Sequence, residues 1–186
     1  MTTKDHPEEN APAEETPERA LDFGAVAKVA QRIRLSGVRL RWSQLGIFGA
    51  EEPSDPDWGS KAFLSFESRP AIDEDEPLDQ DEDLLVQCLF QLRYFLDLDA
   101  KKADADPSFD EDNPPDVAIE AVFDLSYDIA DWDDISHSDL EQFALANGTH
   151  NAWPYWREYA QTTAARLGLA PYVVGPFKLP SRHDPK

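Results

Sequence analysis

Cysteine is almost missing from this chain of 186 residues, and its scarcity removes several kinds of chemistry. Cys88 stands alone inside an apolar run, so the sequence allows no internal disulfide and no cysteine-based zinc site. A lone thiol among apolar neighbours is more often a core residue than a nucleophile. This usage is typical of the reducing cytoplasm, and we expect a cytoplasmic location.

Basic residues are also scarce. The chain carries 17 Lys and Arg against 38 Asp and Glu, which gives a formal net charge of -21. Nucleic-acid sites need concentrated Lys and Arg, and anionic membranes attract basic segments, so both kinds of partner are disfavoured. The charge favours solubility and permits steering of basic partners. An acidic adaptor or nucleic-acid mimic that occupies a basic protein therefore stays open as an alternative function.

Signatures of catalysis and membrane insertion are absent as well. The sequence has no P-loop, no dinucleotide fingerprint and no Gly-x-Ser-x-Gly motif, and Asp131-x-Asp133-Asp134 lacks the glycine of a calcium loop. No apolar run approaches the roughly 18 residues of a transmembrane helix, and no secretory signal is found. No cysteine stands at zinc-site spacing from any of the four histidines, which are His6, His137, His150 and His183. We expect a non-enzyme without cofactor or metal.

What is present is a series of alternating apolar runs, which predicts strands followed by helices. Residues 1–22 are rich in Pro, Glu and Ala and predict a disordered tail; residues 23–179 form one domain and 180–186 a second tail. A short helix is expected from Phe23 to Gln31, and acidic loops near 49–59, 72–82 and 99–115. The predicted strands are Ile33–Trp42 with a bulge at Ser36-Gly37, Ala62–Phe66, Leu84–Leu98 and Val117–Ile129. This order favours an α+β fold, a four-stranded antiparallel sheet followed by a short helix and a long C-terminal helix.

The third predicted strand carries more apolar residues than one face can hold. Its even positions from Leu84 to Leu98 are all apolar, and its odd positions mix Leu85, Leu89 and Phe95 with polar residues. The second face therefore needs a cover, either another subunit or a bound client. Each aromatic residue is by itself more often part of a core than of a groove. The candidate walls of a groove between sheet and helix are Trp42, Phe66, Phe90, Trp132, Trp153 and Trp156.

Two further helices are predicted between residues 136 and 168. Ser136 or Ser138 could cap the short helix, with Glu141 placed for a capping box and an end near Ala146. Asn147-Gly148 is a break signal, and Asn151 is a plausible N-cap with Pro154 in the first turn. Gly168 is a C-cap candidate, and Pro171 prevents continuation.

The C-terminal stretch resembles the signature region of the SecB-type export chaperones. The matching segments are Trp153-Pro154-Tyr155-Trp156-Arg157-Glu158, then Gly168 to Pro171, then Val173-Val174-Gly175-Pro176-Phe177. The motif residues are Pro154, Tyr155, Arg157, Glu158, Gly168, Pro171, Pro176 and Phe177. The resemblance implies an ATP-independent chaperone, a cytoplasmic homotetramer built as a dimer of dimers, that holds unfolded preproteins for the Sec translocase. Unfolded clients would bury apolar side chains in hydrophobic grooves.

The sequence departs from that family in two places. Export members carry acidic residues on the first strand that dock the motor SecA, and Gly37 and Arg41 occupy those positions here. The final helix of the family looks shortened or absent after Phe177. Both departures put motor docking in doubt and leave client holding intact. Some members of the family instead protect an antitoxin in a toxin–antitoxin system, which is the alternative partner.

Overall fold

Four antiparallel strands form one sheet, and the helices pack on one of its faces. The computed structural model describes residues 21–48, 61–72, 78, 83–95, 115–169 and 175–177. Its elements in chain order are α1 Phe23–Ala30, β1 Ile33–Ile47, β2 Lys61–Pro70, β3 Leu84–Phe95, β4 Val117–Ile129, α2 His137–Phe143 and α3 Thr149–Arg166. The predicted fold class is confirmed.

The strand order is β1-β4-β3-β2, so β4 and β3 are central and β1 and β2 are the edges. The predicted bulge is confirmed, because the β1–β4 register shifts between Leu35 and Gly37. A second shift between Leu40 and Trp42 was not predicted. It inserts Arg41 as an extra residue and allows β1 to continue to Ile47, beyond its predicted end.

The core lies between the sheet and α3. Alternate residues of β3 from Leu84 to Tyr94 are buried, as their strict apolar alternation predicts, and so are those of β4 from Val117 to Tyr127. Because cross-strand partners share a face, Phe90 and Ala121 point into the same layer. Burial of each large apolar side chain contributes roughly 1.5–3 kcal/mol, so this two-strand centre supplies much of the stability.

A capping box at Ser136 starts α2. Ser136 Oγ accepts a hydrogen bond from the Asp139 amide, and the Asp139 carboxylate accepts one from the Ser136 amide at 2.9 Å. The prediction that Glu141 closes the box is therefore wrong. Asp139 stands three residues after Ser136, and its carboxylate also binds Lys28 Nζ of α1 at 2.8 Å.

The predicted break at Asn147-Gly148 is wrong, because the helical backbone continues. A π-helical turn at Ala144–Gly148 joins α2 to α3, and Gly148 has φ -57. Asn151 is therefore not an N-cap; its side-chain amide donates to Tyr127 Oη at 3.0 Å. Pro154 lies inside α3 instead of in a first turn.

The end of α3 follows the prediction at Gly168. The Gly168 amide donates to the Ala165 carbonyl and the Leu169 amide to the Ala164 carbonyl, which is the Schellman arrangement. Gly168 takes φ +70, a conformation that costs glycine little. Leu169 and Ala164 are both buried, which is the apolar contact that accompanies this ending.

Several predictions concern residues outside the described ranges. They are the predicted tails, of which only residues 21 and 22 are described, and the predicted loops, of which only Ile72, Leu78 and Pro115 are described. The predicted strand end at 96–98 and Pro171 also lie outside the described residues. Asp22, placed in the predicted tail, caps α1 by accepting from the amides of Gly24 and Ala25. Within the described ranges, no helix has both the length and the apolar character needed to cross a bilayer.

Candidate functional site

Two of the six predicted groove residues belong to the core. Phe90 and Trp156 stack with ring centroids 5.2 Å apart and an interplanar angle of 10°, and neither has exposed area. A client could not reach them without a rearrangement of the core, so both are removed from the candidate groove. They fix instead how α3 lies on β3 and β4.

Phe66 marks an apolar surface beside the edge strand β2. Its ring is 41% exposed and makes edge contacts with Trp153 at 5.9 Å and Phe177 at 5.6 Å. The Trp153 indole, itself buried, donates to the Gly175 carbonyl at 2.8 Å. This bond holds the segment 175–177 against α3 and places Phe177 next to Phe66. We call Phe66, Trp153 and Phe177 the β2 aromatic patch.

A second apolar surface follows β1. The large side chains that it exposes are Leu35, Leu40, Leu45, Ile47 and Phe48, with exposed fractions from 37% to 59%. Between β1 and α3 lies a groove of about 300 Å³ whose floor includes Val38, Leu40 and Phe123. Tyr155, Glu158, Tyr159 and Arg166 of α3 form its other wall. We call this space the β1–α3 groove.

The remaining two predicted aromatics lie elsewhere. Trp42 is 44% exposed and pairs in register with Val122, which puts it on the sheet face opposite the helices. Trp132 is half-buried beside a hollow of about 390 Å³ that Leu78, Leu84 and Leu85 also line. The six predicted residues therefore do not form one groove. Client binding by the exposed ones stays a prediction.

The apolar end of β1 was missed by the sequence analysis. The bulge at Arg41 shifts the alternation, so Leu45 and Ile47 look out of phase with Val38 and Leu40 although all four share one face. A search that allowed a second one-residue shift would have found the longer strand. The residues added by this extension include Leu45 and Ile47, which are 43% and 58% exposed.

Both edge strands present backbone groups that no other described strand pairs. β1 is 15 residues long and β2 is 10, and each is hydrogen-bonded on one side only within the described sheet. An open edge is a template for another strand, whether from a second copy or from an extended peptide. Each edge lies beside one of the two apolar surfaces.

The family-motif residues support these surfaces. Tyr155 is 46% exposed, and Tyr155 and Glu158 line the β1–α3 groove; Arg157 is half-buried on the same helix. Gly168 ends α3, and Pro176 precedes Phe177 of the β2 aromatic patch. Pro171 lies outside the described residues.

The titratable groups of the core provide no nucleophile. Burial raises the pKa of the Cys88 thiol to about 12, and a hydrogen bond with Ser68 only partly offsets it. Burial likewise raises the pKa of Tyr127 to about 12 against the hydrogen bond from Asn151. Both groups are neutral at pH 7. In the part of the chain that the structure describes, no His, Cys, Asp and Glu side chains cluster as metal ligands would.

The sequence of this chain is similar to that of known SecB-like chaperones. No protein-family model matches the chain. Two curated relatives are SecB-like chaperones of Mycobacterium tuberculosis, MT2006 of strain CDC 1551 and Rv1957 of strain H37Rv. Each is 26% identical over 149 residues, which are 80% of this chain and 79% of the relative.

A solved structure shares the fold. It is the Rv1957 SecB-like chaperone in complex with a ChAD peptide from the Rv1956 HigA1 antitoxin of Mycobacterium tuberculosis. Its TM-score is 0.64 at 21% identity, over 85% of this chain and 99% of that one. The SecB-like resemblance that the C-terminal motif predicts is thus confirmed.

Proposed function

We propose that this SecB-like chain is an ATP-independent cytoplasmic chaperone that holds an unfolded antitoxin, and that it holds its client without catalysing a reaction. The observation that carries the proposal is the similarity in sequence and fold to a SecB-like chaperone whose solved complex contains an antitoxin peptide. The runner-up is the export role, in which unfolded preproteins are held for the Sec translocase.

The described surface suits an extended, apolar client. The β2 aromatic patch offers the exposed ring of Phe66 and the half-buried ring of Phe177 beside an open strand edge, so a peptide strand could pair with β2 and place alternate side chains against these two rings. Burying about 300 Å² of apolar surface would contribute about 7 kcal/mol before ordering costs. Such binding is tolerant of sequence and needs no nucleotide.

The first strand favours the antitoxin over the export role. Gly37 and Arg41 stand where export members carry the acidic residues that dock SecA. Arg41 directs its guanidinium at Asp124 on the outer sheet face, so a cation occupies that position. A basic docking segment of a motor would meet this positive charge.

Assembly into a homotetramer, a dimer of dimers, is part of the proposal. The exposed apolar side chains of β1 on the helix side and the β1–α3 groove would be covered when copies meet through this edge. Copies joined there would keep β2 and its aromatic patch open for clients. The two edges would thus serve two different partners.

Two binding partners test the main proposal. The ChAD peptide of HigA1, labelled with a fluorophore, is titrated with the chain, and a SecA motor is tested for co-purification with it. We expect peptide binding, suppression of aggregation of a slow-folding client at stoichiometric chaperone, and no SecA complex. Phe66→Ala is expected to weaken peptide binding, while Phe23→Ala, at an exposed ring at the start of α1, leaves it unchanged.

Three results would contradict the antitoxin-chaperone proposal. A stable SecA complex with no peptide binding would support the export role. Partner binding that is lost steeply as salt rises would support the acidic adaptor or mimic, because apolar holding survives or strengthens in salt while exposed ion pairs are screened. Failure to suppress aggregation at all would reject the chaperone.

A further inference from the structure

The outer sheet face carries a cluster of arginines that client holding does not use. The helices pack on the other face, so side chains paired with Asp124 and Asp128 of β4 point outward. Arg34, Arg39 and Arg41 of β1 lie there, with side chains 83%, 74% and 51% exposed. In a chain with a net charge of -21, this is a local reversal of sign.

A buried carboxylate organises the cluster. Asp124 is only 2% exposed although it lies on the outer face. Arg39 binds its Oδ2 at 2.8 Å, Arg41 lies 3.3 Å from the same atom, and Gln87 donates to Oδ1 at 3.4 Å. The bulge at Arg41 makes this possible, since the extra residue puts two arginines of one strand beside one partner.

The arginines are not neutralised by this arrangement. Arg34 pairs with Asp128 at 2.9 Å, so three guanidinium groups share two carboxylates. Each guanidinium has five N–H donors, and most of them remain directed at solvent. Asp124 therefore holds Arg39 and Arg41 in place and leaves a net positive charge with free donors.

An apolar centre lies next to the arginines. Trp42, Val122 and Leu89 follow one another in register across the sheet. A hollow of about 170 Å³ opens beside them, with Leu89 and Val122 in its floor and Glu67 and Arg69 at its rim. Exposed Trp and Arg side chains near a small apolar hollow are typical of protein-binding sites, because these residues contribute much of the binding energy at interfaces.

We propose that this outer face docks an acidic segment of a partner protein, with carboxylates on Arg34, Arg39 and Arg41 and one aliphatic side chain in the hollow. Glu67 and Arg69 of β2 offset each other in charge, whereas the three arginines of β1 outnumber their two carboxylates, so the segment lies along β1. A nucleic acid fits less well, because a site for a run of phosphates needs a larger concentration of Lys and Arg than these three residues provide. The inference goes beyond the proposed chaperone function, because it uses the outer face of the sheet and neither the β2 aromatic patch nor the β1–α3 groove.

The test uses a short fluorescein-labelled peptide of Glu and Asp with two leucines, against the same peptide with Lys and Arg in place of the acids. We expect binding of the acidic peptide alone, weakened by salt. Arg39→Gln, which leaves Arg41 on Asp124, should weaken it about threefold. Lys28→Gln, which removes one positive charge from α1 in the helix layer, is the matched control and should leave binding of the acidic peptide unchanged.

A variant that is expected to tighten binding of the acidic peptide separates an effect on docking from structural damage. Asp124→Asn removes the internal counter-charge, so the acidic peptide should bind about threefold tighter. Equal binding of both peptides, or equal effects of Arg39→Gln and Lys28→Gln, would overturn the proposal. So would a single-stranded oligonucleotide that competes through the same arginines, which would make the face a general polyanion site. Aggregation suppression by the Arg39→Gln variant should stay normal, so the two proposals fail independently.

Discussion

Gly148 lies where the helical segment passes close to β3, and its missing side chain is what allows the approach. A Cβ at this position would lie 2.7 Å from Cγ1 of Val86 and 3.4 Å from Sγ of Cys88. Val86 is fully buried on a central strand and has a stiff branched side chain, so it cannot move aside. The glycine therefore serves packing of the helix layer on the sheet.

We expect Gly148→Ala to lower the free energy of unfolding by about 1–3 kcal/mol, because overpacking here outweighs the helix propensity that alanine adds. Urea unfolding monitored by Trp fluorescence measures it. Gly37→Ala is the control, since nothing lies within 4 Å of a Cβ there and little change is expected. Equal stability of the two variants would show that the helix layer can shift.

The Asp139 carboxylate should make the free energy of unfolding depend on pH. Burial works to raise its pKa, but hydrogen bonds from Lys28 and Ser136 outweigh burial and hold the pKa below its ordinary value of 3.8. A depressed folded-state pKa contributes stability above the unfolded pKa, and the contribution is lost as pH falls through the folded value. The wild type should therefore exceed Asp139→Asn in stability at pH 6, with the gap closing below about pH 4. A gap that stays constant down to pH 3 in urea unfolding would contradict this.

Residue identity alone could not show which aromatic side chains are buried and which are exposed. Phe66 and Phe90 share one sheet face on neighbouring strands, yet Phe66 is 41% exposed and Phe90 is fully buried. The difference arises because Phe66 is on an edge strand and Phe90 on a central one. Strand order, which the sequence pattern does not contain, decides which aromatics can meet a client.

At the scale of elements, predictability followed the strength of the local pattern. β3 and β4 alternate without interruption and were placed well, and β4 was predicted at its observed bounds of Val117–Ile129. β1 was cut short because a bulge inverts the alternation, and the break at Asn147-Gly148 was wrong because packing overrode a local turn signal. Capping chemistry was found at both Ser136 and Gly168, although the capping-box partner was misassigned.

The start of α2 offers a test at this scale. Ser136→Ala removes the side chain that accepts from the Asp139 amide, so we expect a loss of about 1 kcal/mol in the free energy of unfolding. Ser138→Ala is the matched control, because Ser138 was the other predicted cap and lies exposed inside α2. Thermal and urea unfolding measure both. A larger loss for Ser138→Ala would mean that α2 begins two residues later.

At the scale of the whole molecule, the two edges of one sheet differ in their surroundings. The β2 edge lies beside the exposed ring of Phe66, which Phe177 contacts, and the β1 edge lies beside aliphatic residues and the β1–α3 groove. A molecule that holds clients must keep one edge open and cover the other, because two open apolar edges invite uncontrolled association. The proposed assembly through β1 and the proposed client binding at β2 would satisfy both needs.

This division predicts the behaviour of a double variant on β1. Leu45→Lys with Ile47→Lys places two charges on side chains that are 43% and 58% exposed, so the fold should survive while contact between copies is lost. Native mass spectrometry should show tetramers of the wild type and smaller species of the variant. Leu145→Lys, at an exposed leucine away from β1, is the control and should remain tetrameric. A monomeric wild type, or tetramers of the double variant, would move the subunit contact away from this edge and leave the β1–α3 groove free for a client.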